Sequence, residues 1–214
     1  MNKKYPFDPS IKHHLLIALS LVIWIFIFLF FTEPLDVNTL NNNQKPLFLI
    51  GYGLIGGFCY LLFLPIQYIL LKRNDGKWYL KSEALFLFIF SFCSIAIARI
   101  YYLHVIMAND RNPYEFWYML QNIFLPALLT ILPIIIFGRF AFGKYANKKT
   151  EAQKIEIKGE GNYEGLRLFL NDIICIQSSD NYIEVFYVSN NEIKKSLIRN
   201  KLSVIADEFP EFLR

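Results

Sequence analysis

Asp172 to Leu202 reads DIICIQSSDNYIEVFYVSNNEIKKSLIRNKL, and its punctuation decides the fold of the C-terminal part of the chain. Two runs rich in β-branched and aromatic residues, Ile173 to Gln177 and Tyr182 to Val188, flank the polar loop Ser178-Ser179-Asp180-Asn181. A second turn, Ser189-Asn190-Asn191, leads into Ile193 to Ile198. Side chains of Ser, Asp and Asn bond nearby backbone and so favour turns, while the branched and aromatic residues favour strands. Three consecutive strands are therefore expected.

Outward from this stretch the pattern continues. Leu202, Ile205, Ala206 and Phe209 recur at helical spacing and predict a helix, with Leu197, Leu202, Ile205 and Phe209 as core. Upstream, Ile155 and Ile157 alternate with Glu156 and Lys158 as a strand. The turn Gly159-Glu160-Gly161-Asn162 separates it from a second strand through Leu166, Leu168 and Leu170.

The order of strand, SSDNY loop at Ser178 to Tyr182, strand, turn, strand, the run Ile198 to Leu202, helix, and Phe209 to Arg214 resembles a LytTR-type DNA-binding domain. The resemblance covers about Ile155 to Arg214. It implies a mainly β domain of a bacterial transcription regulator, with loops and strand edges entering successive major grooves of double-stranded promoter DNA, and dimers on repeated half-sites. Carried onto this chain, it makes Ser179 and Asn181 candidates for facing bases or phosphates. Asn181 reads equally well as a turn residue bonding its own backbone. Lys194, Lys195, Arg199 and Lys201 form the domain's basic cluster, read either as phosphate contacts or as an ordinary exposed surface. In the family the domain continues with further strands, whereas this sequence stops at Phe212-Leu213-Arg214. The expectation is an incomplete domain, either because the sequence is a fragment of a longer protein, the preferred reading, or because the domain has lost direct readout of DNA.

Upstream of this domain the composition changes character. Apolar residues make up 55% of the chain and aromatics 17%, concentrated before about residue 143. Four apolar runs, residues 15–31, 47–71, 84–106 and 117–142, each have the length needed to cross a hydrocarbon core of about 30 Å. Basic residues alternate between them. Lys3, Lys4 and Lys12 precede the first run, Lys72, Arg73, Lys77 and Lys81 follow the second, and Arg139, Lys144, Lys148 and Lys149 mark the exit of the fourth. Only Lys45 and Arg111 lie in the other two connections. This bias puts both termini in the cytoplasm, and the LytTR resemblance implies that the membrane is a bacterial inner membrane. The first run lacks a small-residue cleavage site and reads as a retained span. Trp78, Tyr79, Trp117 and Tyr118 suit aromatic belts, and His13 and His14 read as interfacial anchors. Gly51, Gly53, Gly56 and Gly57 give the second run a small-residue face, for packing within the bundle or for dimerisation.

The expected fold class is a multi-domain membrane protein. An all-α bundle of four transmembrane helices (1–143) precedes a juxtamembrane linker (144–154) and a mainly β cytoplasmic domain with one helix (155–214). Residues 155–214 hold seven Lys and Arg against ten Asp and Glu, a balance of −3. The basic excess therefore belongs to the membrane half.

Arg99 stands well inside the third run. It forms, with Gln121, Asn122 and His104, either a polar pocket for a small anion or peptide, or a snorkelling cation capped by amides. No enzyme is expected. Residues 155–214 hold no histidine, no Gly-rich phosphate loop and no Ser-His or Cys-His pair, and the chain is too short for a kinase's nucleotide-binding domain. Cys59, Cys93 and Cys175 share no metal-ligand spacing and read as small buried apolar residues; no cofactor or metal is expected. The expected partners are the lipid bilayer and promoter DNA. The main rival is a membrane-bound module that tethers a partner regulator through its sheet edge without touching DNA. A small transporter or channel is a third reading, resting on Arg99 and the prolines.

Overall fold

The structure is a computed structural model that describes residues 3–34, 44–107, 114–161, 165–189 and 192–209. Arg111, Asn162, the turn residues Asn190 and Asn191, and the closing Phe212-Leu213-Arg214 lie outside the described residues. The chain is rich in helix, with four long apolar helical stretches and a small β region of two sheets. It divides into two compact units between Asn147 and Lys148.

The first unit contains α1 (Ile11–Thr32), α2 (Lys45–Leu62), α3 (Leu64–Arg73), α4 (Leu80–Tyr101), α5 (Phe116–Met119) and all but the last five residues of α6 (Leu125–Ala152). α2 and α3 form one stretch interrupted at Phe63, where Pro65 occupies the first turn of α3. Proline withholds the N–H that would continue the ladder. α4 runs on into a π-helical turn, Tyr102–Ile106, and a second π-helical turn, Leu120–Phe124, joins α5 to α6. That second turn lies just before Pro126, whose ring would collide with the carbonyl four residues back in a regular helix. The Asn122 side chain donates to the Tyr118 carbonyl at 2.9 Å.

Four stretches are long and apolar enough to cross a membrane: Ile11–Thr32, Lys45–Arg73, Leu80–Ile106 and Phe116–Ala152. Their composition is that of a multi-pass membrane protein. They also present large apolar side chains outward, including Leu129 at 75% exposure and Phe88 at 72%, a surface that water would penalise and lipid would not. The expected runs sit within these stretches. The fourth extends further than expected, because residues 144–152, read as linker, continue α6 without a break. Lys, Ala and Glu are good helix formers, and a helix already nucleated extends through them at little cost.

The core of this unit forms around α1 and α2, with Leu21, Leu49, Cys59, Tyr60 and Ile135 buried. Gly53, Gly56 and Gly57 face α1 within the same chain, and a Cβ at Gly53 would come 2.6 Å from the Val22 carbonyl oxygen. Gly53→Ala is therefore expected to force α1 and α2 apart at a cost of about 1–3 kcal/mol. The measurement is thermal unfolding of the purified protein in detergent, where an unchanged Tm would mean the two helices lie further apart.

The second unit holds the β region. β1 (Ile155–Lys158) and β2 (Gly165–Leu168) form an antiparallel hairpin. A short 3-10 turn, Leu170–Asp172, leads into an antiparallel meander of β3 (Ile173–Ser179), β4 (Tyr182–Ser189) and β5 (Glu192–Ile198). The helix α7 (Leu202–Glu208) follows. All three strands of the quoted stretch are present, and the first loop shrinks to the two residues Asp180 and Asn181 because Ser178 and Ser179 pair within the ladder.

Ile157, Ile183, Val185, Ile198 and Ile205 form the core, with Phe209 packed against it. Leu197 and Leu202 do not join it, being 52% and 37% exposed. The register explains Leu197. Ile183 pairs with Ile198 on the covered face, so the neighbouring pair Glu184 and Leu197 must face the other way. Cys175 lies on that open face as well and is exposed, contrary to the expectation of burial.

Asn200, unremarked in the sequence, is buried where β5 meets α7. Its Nδ2 donates to the Lys158 carbonyl at 2.8 Å, and its Oδ1 accepts the Lys201 N–H at 2.7 Å. It thus ties β1 to the entry of α7. Asn200→Ala is expected to cost about 1–2 kcal/mol, seen as faster amide exchange in β1 and the first turn of α7.

Candidate functional site

One end of the β3–β5 sheet collects four of the six polar and basic residues singled out above. Ser179 pairs with Tyr182 at the β3–β4 turn, and Ile183 pairs with Ile198 one step further on. That register brings Ser179 and Asn181 to the same end of the sheet as Arg199 and Lys201. Asn181, Arg199 and Lys201 are exposed there, Ser179 is half-buried, and Asp180 takes a left-handed conformation (φ 53°) that closes the two-residue turn. Arg199 lies 3.9 Å from the Glu160 carboxylate, a loose exposed pair of little strength. Lys194 and Lys195 sit mid-strand, opposite Tyr187 and Phe186. Lys195 is engaged: its Nζ is 2.6 Å from Glu184, which also accepts a bond from Gln177 at 2.7 Å. The hydrogen bonds from Lys195 and then Gln177 hold the Glu184 carboxyl below its usual range.

The open face of this sheet is apolar. Tyr182, Val188, Ile193 and Leu197 are 39%, 39%, 72% and 52% exposed. Their pairing (Val188 opposite Ile193, Glu184 opposite Leu197) puts them side by side with Lys195 and Phe186.

The helical unit contains a second constellation, and the sequence reading missed it. Arg139, on α6, was counted among the flanking charges, yet it is 3% exposed. It meets Glu83 of α4 in a two-pronged pair, Nε to Oε1 at 2.6 Å and Nη2 to Oε2 at 2.8 Å. Its Nη1 donates to Gln67 Oε1 at 2.9 Å and, more weakly, to the Tyr60 hydroxyl at 3.4 Å. The guanidinium also lies over the rings of Phe86 (4.5 Å) and Phe7 (5.2 Å). Trp78, expected in an aromatic belt, is buried and donates to Glu83 Oε2 at 2.8 Å. Every oxygen of Glu83 and each terminal nitrogen of Arg139 thus has a protein partner, the condition under which a charge pair tolerates burial.

A proton chain follows from donor and acceptor rules. The Tyr60 hydroxyl lies 2.8 Å from His14 Nδ1, and His14 Nε2 lies 2.9 Å from the Asp8 carbonyl. A carbonyl only accepts, so Nε2 carries the proton; Nδ1 of a neutral ring then accepts from Tyr60. His14 is accordingly a buried network member rather than an interfacial anchor, while His13 contacts the Asp8 carboxylate. The extended segment before α1 closes over this cluster. The Tyr5 N–H bonds the Trp78 carbonyl at 2.9 Å, the Leu80 N–H bonds the Lys3 carbonyl at 3.0 Å, and Phe7 stacks on Trp78 with centroids 4.9 Å apart. Gly143 lets α6 approach this segment, since a Cβ there would come 2.8 Å from the Phe7 nitrogen.

Among the described residues no hydrogen bond joins Arg99, Gln121 and Asn122 to one another. Arg99 Nη2 donates to the Tyr114 carbonyl at 3.1 Å, and its Nη1 lies against the Met119 sulfur. Gln121 and Asn122 are exposed, and Asn122 is taken up by its own helix. Among the described residues no group of His, Cys, Asp and Glu is placed to hold a metal ion. Comparison with known proteins adds no relative: no family model, no curated protein and no solved structure matches this chain.

Proposed function

We propose that this chain is a multi-pass protein of the bacterial inner membrane, with both termini in the cytoplasm, that regulates transcription by contacting promoter DNA through its β unit. The observation that carries the reading is the gathering of Ser179, Asn181, Arg199 and Lys201 at one end of the β3–β5 sheet. A protruding two-residue turn with an exposed amide can reach a base edge, while flanking cations hold phosphates and fix the register. The LytTR-like order of elements supports the same assignment. Homodimers on repeated half-sites would bring a second copy of these four residues onto the DNA. The test uses the whole chain in zwitterionic nanodiscs with random duplex DNA. Binding that weakens steeply as salt rises is the expected result. Failure to bind at low salt would overturn the reading.

A second reading draws on the exposed apolar face of Tyr182, Val188, Ile193 and Leu197. Such a face suits a protein partner, so the same unit would tether another regulator at the membrane. Ile193→Asp with Leu197→Asp would abolish co-purification of that regulator under this reading and leave DNA binding intact under the first.

A further inference from the structure

We propose that the outward face of α4 holds one anionic phospholipid, with its phosphate between Lys4 and Lys81 and an acyl chain along Leu85, Phe88 and Phe92. The inference rests on the membrane placement of the helical unit and not on DNA contact.

The headgroup end is built by the extended segment that precedes α1. Lys4 pairs with Tyr79 across an antiparallel bridge. Two backbone hydrogen bonds bracket it, from the Tyr5 N–H to the Trp78 carbonyl at 2.9 Å and from the Leu80 N–H to the Lys3 carbonyl at 3.0 Å. Directly opposed residues share a face of such a ladder, with Cβ atoms about 5 Å apart. Lys4 therefore stands beside Tyr79. Lys81 reaches the same residue, its Nζ 5.8 Å from the Tyr79 ring centroid. Both lysines are exposed. Gathering two like charges at one ring is unfavourable, and an anion seated between them reverses the sign. A phosphate oxygen can accept from both.

The apolar end follows from helical spacing. Lys81, Leu85, Phe88 and Phe92 recur at intervals of four, three and four, which keeps them on one side of α4. All are exposed. Among the described residues, their stretch is the least covered of the four long apolar ones. Residues 81 to 92 rise about 16 Å along the axis, close to the ~15 Å of hydrocarbon in one leaflet. A cation heading an apolar stripe one leaflet long matches a phospholipid group for group. A second copy inserted in the same sense would bring its own Lys4 and Lys81 to the same depth. Four ammonium groups would then meet, so charge complementarity selects the lipid.

The test is photolabelling of the full chain in phosphatidylcholine nanodiscs. The probes are trace phosphatidylglycerol and trace phosphatidylcholine, each bearing a mid-chain diazirine. Phosphatidylglycerol is expected to label Leu85 and Phe88 about tenfold more than phosphatidylcholine does. Lys4→Gln with Lys81→Gln should remove that preference. Lys72→Gln with Arg73→Gln, the same charge change at the end of α3, should leave it intact. Equal labelling of the unaltered chain by the two lipids would overturn the proposal. Loss of the preference in the α3 variant would overturn it too, by identifying a diffuse field in place of a site. Phe137, outward on α6, is the reference for membrane placement. Labelling of Phe137 without Leu85 and Phe88 would overturn the proposal by showing the stripe covered by another chain. Labelling of none of the three would overturn the membrane placement, and the proposal with it.

Discussion

Glu83→Gln is expected to destabilise the helical unit by about 3–5 kcal/mol, the cost of leaving a buried charge without its counter-ion. Arg139 has no route to water: its side chain is 2% exposed, and that of Glu83 3%. Glutamine keeps the volume and one acceptor oxygen. It removes the charge and turns the second oxygen into a donor aimed at a guanidinium that can only donate. Arg139→Met should cost a similar amount by stranding the carboxylate. The double substitution Glu83→Leu with Arg139→Met should recover most of the loss, since an apolar pair of similar volume replaces a charge pair whose desolvation nearly cancels its attraction. The cycle is read by thermal unfolding in detergent, and a coupling energy near zero would mean that each charge reaches water on its own.

Arg199→Glu with Lys201→Glu should have the larger functional effect. If both cations hold phosphates, reversing them removes two counter-ion-releasing contacts and adds repulsion. The slope of log affinity against log salt should then fall by about 2, with affinity at low salt down by about 100-fold. Asn181→Ala, by contrast, should leave the slope unchanged and flatten sequence preference, because a base contact carries specificity and little salt dependence. Lys195→Gln is the internal control. Its charge is already held by Glu184 at 2.6 Å, so it should change the slope by less than either of the other cations.

The strands of the β unit were legible because period-two alternation and Asn, Asp and Ser punctuation are local signals. Leu197 was not, because which parity of a strand is covered depends on the partner's register. The pairing of Ile183 with Ile198 fixes that, across fifteen positions of sequence. The helical spans were legible from length and composition for the same reason: lipid contact is a property of each segment alone. The Glu83–Arg139 pair joins residues 56 apart and could not be read locally. One signal was present. Arg139 lies inside the apolar run 117–142 just as Arg99 lies inside 84–106, and both called for a partner. Arg139 was grouped with Lys144, Lys148 and Lys149 because charges near the end of a run report topology. Only the packing separates the two cases.

The extended segment Lys3–Ser10 has a bearing on biogenesis. It precedes all four long helical stretches in the chain, yet its partners are Trp78 and Tyr79 at the entry to α4, and Ile136 and Gly143 on α6. The last of these is synthesised some 130 residues later. This segment therefore cannot complete its contacts until α6, the last of the four stretches, has been made. Docking of this segment closes the lid on Arg139 and Glu83, so it reports that the whole bundle has assembled.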